Sequence, residues 1–259
     1  MDLKQAIAES IENSGVAILP PMDVKESMAL LIENGVKAKT CILDPWYNKG
    51  IGGQLSDTEY DNFIRTLLDQ SSLMSDVIYL WGFPEIIGPY VRFAPEQFKM
   101  TAWLTWYYKN CPSVIRGWRS SQNACIQFTK EGASLHPENF LNAQQELRFE
   151  EGKMRFIPGP TSVIEAPLIV GFIGKNERTG HPSQKPESVF ERIILMSTVM
   201  DDTIIDLMAG SGTTGSVAQK KHRHAILCDC NEEYIEMMEQ RLHQKRIQID
   251  RVSSSLCQF

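Results

Sequence analysis

Apolar positions recur every three to four residues over 2–14 and 23–34, and glycines stand at 15 and 35 where each pattern stops. This spacing predicts two helices with glycine C-caps. Between them Val16-Ala17-Ile18-Leu19 is an unbroken apolar run, the mark of a strand buried on both faces. A second such run covers 38–43 and ends abruptly at Asp44-Pro45. A helix over 57–70, a strand over 76–81 and two strands over 100–108 and 123–129 follow. Residues 131–165 keep no period and hold Gly152, Pro158, Gly159 and Pro160, so they read as a loop-rich insertion. Helical spacing returns over 187–200 with Val189, Phe190, Ile193, Met196 and Val199. A strand over 203–207, a glycine turn, a short helix and a strand over 224–229 come next. Asn231 then caps a last helix, with Tyr234, Ile235, Met238 and Leu242 on one face. Strands alternating with helices predict an α/β fold with a doubly wound, mostly parallel sheet.

Composition narrows the function less than it narrows the class. Apolar residues at 42% and charged residues at 22% are ordinary globular values. The longest apolar stretches fall far short of the ~18 residues of a membrane span, and the acidic N-terminus does not resemble a secretory signal. Six cysteines without a CxxC pair fit reduced thiols in a cytoplasmic protein better than a zinc site or a disulfide framework.

The net charge of -6 speaks against a nucleic-acid partner only until its distribution is considered. Residues 97–130 contain no Asp or Glu and five cations: Lys99, Lys109, Arg116, Arg119 and Lys130. The rest of the chain sets 21 basic residues against 32 acidic ones. Aromatic residues are interleaved with the cations of the strip, which suits phosphates and unpaired bases. Trp103, Tyr107 and Phe128 are expected in the core, whereas Lys109, Arg116, Trp118 and Arg119, in or beside the loop 110–122, are expected to touch nucleic acid.

Asp206-Leu-Met-Ala-Gly210-Ser-Gly212-Thr-Thr-Gly215 leaves a strand and enters a helix, satisfying GxGxxG. Asp229 ends the next strand, at the distance from the glycines that a nucleotide-binding βαβ unit requires. Glycines there let a backbone approach a nucleotide, and the next-strand carboxylate accepts from ribose hydroxyls. A plain tight turn is the competing reading. No Lys follows the glycines, which argues against a Walker phosphate loop. Asp206 beside the turn favours a cationic ligand, S-adenosylmethionine, over a pyrophosphate-bearing dinucleotide.

Ile42-Leu43-Asp44-Pro45-Trp46-Tyr47-Asn48 resembles the catalytic tetrapeptide, Asp/Ser-Pro-Pro-Tyr, of the exocyclic-amino DNA methyltransferases. His181-Pro-Ser-Gln-Lys185-Pro186 is similar to the HP[TS]QKP segment of that family, and 206–214 to its DPFAGSGTT, with Leu207 and Met208 replacing Pro and Phe. The tetrapeptide precedes the cofactor turn, the permuted order of the family's β group. The resemblance spans about residues 16–245. It implies a Rossmann-like methyltransferase: a catalytic half over 1–130, a short target-recognition insertion over 131–165, a cofactor half over 166–250 and a tail over 251–259.

The resemblance also implies roles. Asp44 and the Pro45 carbonyl accept the two amino hydrogens of the target base, turning the nitrogen lone pair toward the methyl group. Tyr47 stacks on a base flipped from the duplex. Trp46 replaces the family's second proline and offers extra stacking surface. Asp206, Ala209, Gly210, Ser211, Gly212 and Thr213 hold the methionine side of the cofactor, and Asp229 its ribose. Ser183 and Lys185 lie near the methionine carboxylate, and Asp23 near the adenine. Cys228 and Cys230 are read as core packing, not metal ligands. Asp in the first tetrapeptide position leans toward adenine N6, with cytosine N4 open. Two further readings stay open: a non-catalytic binding subunit, and an oxidoreductase resting on GxGxxG alone. The insertion is small and acidic for a sequence reader, so a homodimer or a second specificity subunit is expected beside DNA.

Overall fold

A computed structural model describes residues 2–48, 55–111 and 117–249. Among these residues eight strands form one sheet: β1 (Val16–Ile18), β2 (Thr40–Leu43), β3 (Val77–Gly82), β4 (Phe98–Tyr107), β5 (Gln122–Lys130), β6 (Val163–Glu165), β7 (Thr203–Asp206) and β8 (His224–Leu227). Their order is β1-β8-β7-β2-β3-β5-β4-β6, and only β5 runs antiparallel to its neighbours. The expected doubly wound, mostly parallel sheet is therefore present.

The short strands are buried end to end. The four residues of β2 and the six of β3 are all inaccessible, because helices cover both faces. One face packs on α1 (Leu3–Ser14), α2 (Val24–Glu33) and α3 (Asp57–Ser72). The other packs on α6 (Glu187–Ser197), α7 (Thr213–Lys220) and α8 (Glu232–Leu242). Gly15 and Gly35 sit at positive φ where the first two helical segments end.

From β2 the chain crosses to β3 on one side, whereas from β7 it crosses to β8 on the other. The carboxyl ends of β2 and β7 thus flank the topological switch point, where open α/β sheets bind ligands. The register pairs Ile42 with Asp206, which brings the two acidic motifs to one place.

Three expectations need correction. The segment 131–165 is not merely loop: it contains α5 (Ala143–Glu150), a 3-10 turn (Pro137–Phe140) and β6 at the sheet edge. Helix α5 buries none of its residues and is set by a reciprocal Asn142–Gln145 capping box, so no apolar period announces it. Helix α6 stops at Ser197, short of the expected end at residue 200. Thr198 is extended and Val199 is exposed, so Val199 does not continue the apolar face. A short helix α4 (Pro84–Ile87) and a 3-10 turn (Gly88–Arg92) after β3 were not anticipated.

Candidate active site

The strand β2 delivers Asp44 to the switch point, and Pro186, the N-cap of α6, delivers Lys185 opposite it. The buried Lys185 ammonium donates to Asp44 Oδ2 and, at 3.4 Å, to the Tyr47 hydroxyl. The Tyr47 hydroxyl donates to Asp44 Oδ1 at 3.2 Å and accepts from Asn123 Nδ2 at 3.3 Å. The Tyr47 ring leans on Phe83, with centroids 4.8 Å apart. Burial lowers the Lys185 pKa, but Asp44 and Tyr47 outweigh it and the net shift is upward, so the side chain stays a cation. Burial first, and Asp44 second, push the Tyr47 hydroxyl up, so it stays protonated. Lys185 was expected near the cofactor carboxylate; here it donates to the Asp44 carboxylate.

Trp46, expected to add stacking surface, is partly buried. Its ring packs into α3, 4.9 Å from Phe63 and 5.5 Å from Tyr60, and its carbonyl accepts from Tyr60 Oη at 2.8 Å. It anchors the tetrapeptide to the helix behind it.

Asp206 ends β7 with its carboxylate buried, accepting from Met208 N at 3.2 Å and from Thr214 Oγ1. Burial raises its pKa to about 7, against the pull of those two donors and with Asp44 and Asp229 adding to it. Asp229 is fixed behind the turn: its oxygens accept from Gly210 N at 2.8 Å and Asn231 N at 3.0 Å. The glycine turn needs its residue types. Gly210 (φ 48°) and Gly212 (φ 72°) are left-handed, and a Cβ on them would lie 2.8 Å from His181 Nε2 and 2.9 Å from Met238 Cγ.

Asp44, Ser183, Lys185, Asp206, Ala209, Gly210, Ser211 and Thr213 line one cleft, with about 30 Å³ of space between them where Lys185 and Asp44 meet. A larger cavity of about 530 Å³ lies between α6 and the segment 139–160 and shares none of these residues. Asp23 lies outside the cleft as the N-cap of α2, accepting from Lys25 N at 2.8 Å; the neighbouring Met22 N donates to the Asp229 carbonyl at 3.1 Å. Cys228 is buried as expected, whereas Cys230, beyond the end of β8, is exposed and does not pack in the core. Among the described residues no group of His, Cys, Asp and Glu could hold a metal ion.

Four residues with a part in this geometry escaped the sequence reading. Asn123 touches Tyr47. His181 presses on Gly210 and packs edge-on against Tyr234 at 4.3 Å, and burial lowers its pKa to about 4. Arg241 donates to the Ser211 carbonyl at 2.9 Å and to Thr213 Oγ1 at 3.1 Å, and pairs with Glu187 at 3.0 Å. Glu187 and Arg241 therefore buttress the turn from behind. His181 belongs to the HPSQKP segment; Arg241 and Asn123 carry no local signal.

Of the nucleic-acid candidates, Trp118 is 97% exposed and Arg119 is exposed, while Arg116 lies outside the described residues. Lys109 pairs with Glu165 at 2.5 Å across the β4–β6 edge. Phe128 is buried as expected, whereas Trp103 and Tyr107 are only partly buried, on a strand near the sheet edge. Strands β4 and β6 run parallel to β2 and β3, so the loop from β4 to β5 leaves the edge of the sheet that carries Asp44.

A family model described as DNA methylase matches residues 38–240. The type II methyltransferase M.HpaI of Haemophilus parainfluenzae is 30% identical over 216 residues, 78% of this chain and 67% of that protein. M2.LlaDCHI of Lactococcus lactis subsp. cremoris, also a type II methyltransferase, is 48% identical over 151 residues; that match covers 57% of this chain and about half (52%) of its length. The crystal structure of an M1.HpyAVI–SAM complex superposes with a TM-score of 0.66 at 19% identity, covering 88% of this chain and 98% of that one. The chain belongs to the N6/N4 DNA methylase family, amino-methyltransferases that draw their methyl group from S-adenosylmethionine.

Proposed function

We propose that this protein methylates the exocyclic amino group of a base flipped from DNA, adenine N6 in preference to cytosine N4. The observation that carries the reading is the meeting of the Asp44–Tyr47 motif with the Asp206–Thr213 turn across the switch point. The cofactor residues fit their ligand by chemistry: a buried carboxylate at Asp206 suits a cationic amino group, and Asp229 stands behind the glycine turn for hydroxyls. Bound there, S-adenosylmethionine supplies an electrophilic methyl group. Asp44 accepts one amino hydrogen of the base and the Pro45 carbonyl the other, and the proton shed by the methylated nitrogen passes to Asp44. Tyr47, held by Asn123 and Phe83, orients that carboxylate and offers its ring for the flipped base to stack on. Adenine is preferred because the resemblance associates Asp, rather than Ser, at this position with N6.

Trp118 and Arg119 serve DNA from the loop on the catalytic edge. The insertion over 131–165 reads sequence only with help from a second copy or a second subunit; exposed Leu147, Phe149 and Phe156 upon it support such a contact. The enzyme works in the cytoplasm; no helix among the described residues is long and apolar enough to cross a membrane.

The deciding experiment incubates the protein with mixed-sequence DNA and labelled cofactor and identifies the methylated nucleoside by mass spectrometry. N6-methyladenine that disappears with Asp44→Asn is expected. N4-methylcytosine would overturn the base assignment, and undiminished transfer by the variant would overturn the mechanism. Light scattering on the isolated chain tests the partner; a monomer with full sequence specificity contradicts it.

A further inference from the structure

We propose that the turn over 169–175 is a second DNA-contact element, with Phe172 entering the base stack beside the flipped nucleotide; this rests on the function proposed above. The chain leaves β6 at Glu165 and returns to the cleft at Lys185. Because β6 and β4 run parallel to β2, the segment between travels along the catalytic edge, from the outer strand to the switch point.

Both ends of the segment are fixed. Leu168 N donates to Asn110 Oδ1 at 2.8 Å and Asn110 Nδ2 returns a bond to the Leu168 carbonyl at 2.9 Å, which ties it to the base of the Trp118 loop. At the other end Gln184 accepts from Thr179 N at 2.9 Å and donates to the Glu177 carbonyl at 2.6 Å. The turn itself is built: Arg178 donates to the Gly171 carbonyl at 3.0 Å, Gly171 and Gly174 take positive φ, and the Ile169 side chain fills the place a Cβ on Gly174 would need.

On this fixed support Phe172 is 94% exposed, flanked by exposed Val170 and Ile173. Clustered apolar exposure of this kind marks a contact surface. Its charge selects the partner. Lys175 and Arg178 lie in the same segment, and the acid between them, Glu177, is engaged by Glu187 N at 2.8 Å. An apolar tip beside cations suits a duplex: phosphates meet the cations, and the wedge replaces stacking lost when a base leaves the helix.

The test uses two duplexes of the methylated sequence, one with the target base paired and one with it opposite an abasic site, where unpairing costs little. Phe172→Ala should lower kcat/KM about tenfold on the paired duplex and less than about twofold on the abasic one, and Phe172→Trp should retain activity on both. Calorimetric affinity for S-adenosylmethionine should not change. Equal losses on both duplexes, no loss on either, or a changed oligomeric state with intact DNA methylation would overturn the proposal. Failure of the wild-type protein to methylate either duplex would count against the underlying function instead.

Discussion

Lys185 donates to Asp44 across 141 residues of sequence, so a segment assigned to the cofactor side holds the carboxylate on the target side. Breaking this pair strands the remaining charge in the cleft, and a charge left there without its partner is costly. Lys185→Met should therefore destabilise the protein by about 3 kcal/mol, the lower end of the range for buried pairs. The lower end applies because the Asp44 side chain keeps 20% exposure. Urea unfolding measures it, and Asp44→Asn/Lys185→Met should recover part of the loss; strict additivity of the two single losses would refute the coupling.

Asp44→Asn keeps the shape and removes the proton acceptor. Methyl transfer should fall by roughly 10²–10⁴, with calorimetric affinity for S-adenosylmethionine within about threefold. A parallel loss of cofactor binding would assign Asp44 to the cofactor.

The Asp206 carboxyl is raised to about 7, above its ordinary value. Its folded form holds a proton that the unfolded chain releases near pH ~4, so the destabilisation is absent below that value, grows up to about pH 7 and is complete above it. Asp206→Asn should be more stable than wild type at about pH 8, by a margin that vanishes toward about pH 4. Wild-type affinity for the cationic cofactor should rise from about pH 5.5 to about pH 7.5, and fall again once the cofactor's amino group loses its proton at about pH 8. A pH-independent affinity would remove Asp206 from the site.

Trp46→Pro would match the family tetrapeptide yet empty the seat between Tyr60 and Phe63. Trp46 is only partly buried, so the loss should be smaller than for a fully buried tryptophan. Thermal or urea unfolding should show a destabilisation of about 2 kcal/mol. Specific activity of the folded fraction should stay within about tenfold. Complete inactivity with unchanged stability would give Trp46 a catalytic role.

Trp118→Ala/Arg119→Ala should weaken DNA binding and flatten its salt dependence while cofactor affinity holds. Unchanged DNA affinity would free that loop from the interface.

The local patterns sufficed for the strands β1, β2, β3, β7 and β8, because buried parallel strands are continuous apolar runs and their following turns demand Asp, Pro or Gly. The strand–turn–helix spacing also singled out Asp206, Gly210, Gly212 and Asp229, whereas Asp44 stood out only through the resemblance of its tetrapeptide to a known family. The sequence could not place α5, whose stability comes from a capping box and not from an apolar face, nor the end of α6, where Thr198 turns extended before the apolar period runs out. Only the tertiary structure decided that Lys185 faces Asp44, that Trp46 turns into α3, and that Asn123 and Arg241 support the site. Each is a long-range contact between segments with no periodic or spacing constraint on one another. The net charge of -6 tells the same story: its average is a property of the chain, but which edge of the sheet carries Trp118, Arg119 and Phe172 follows from strand direction alone.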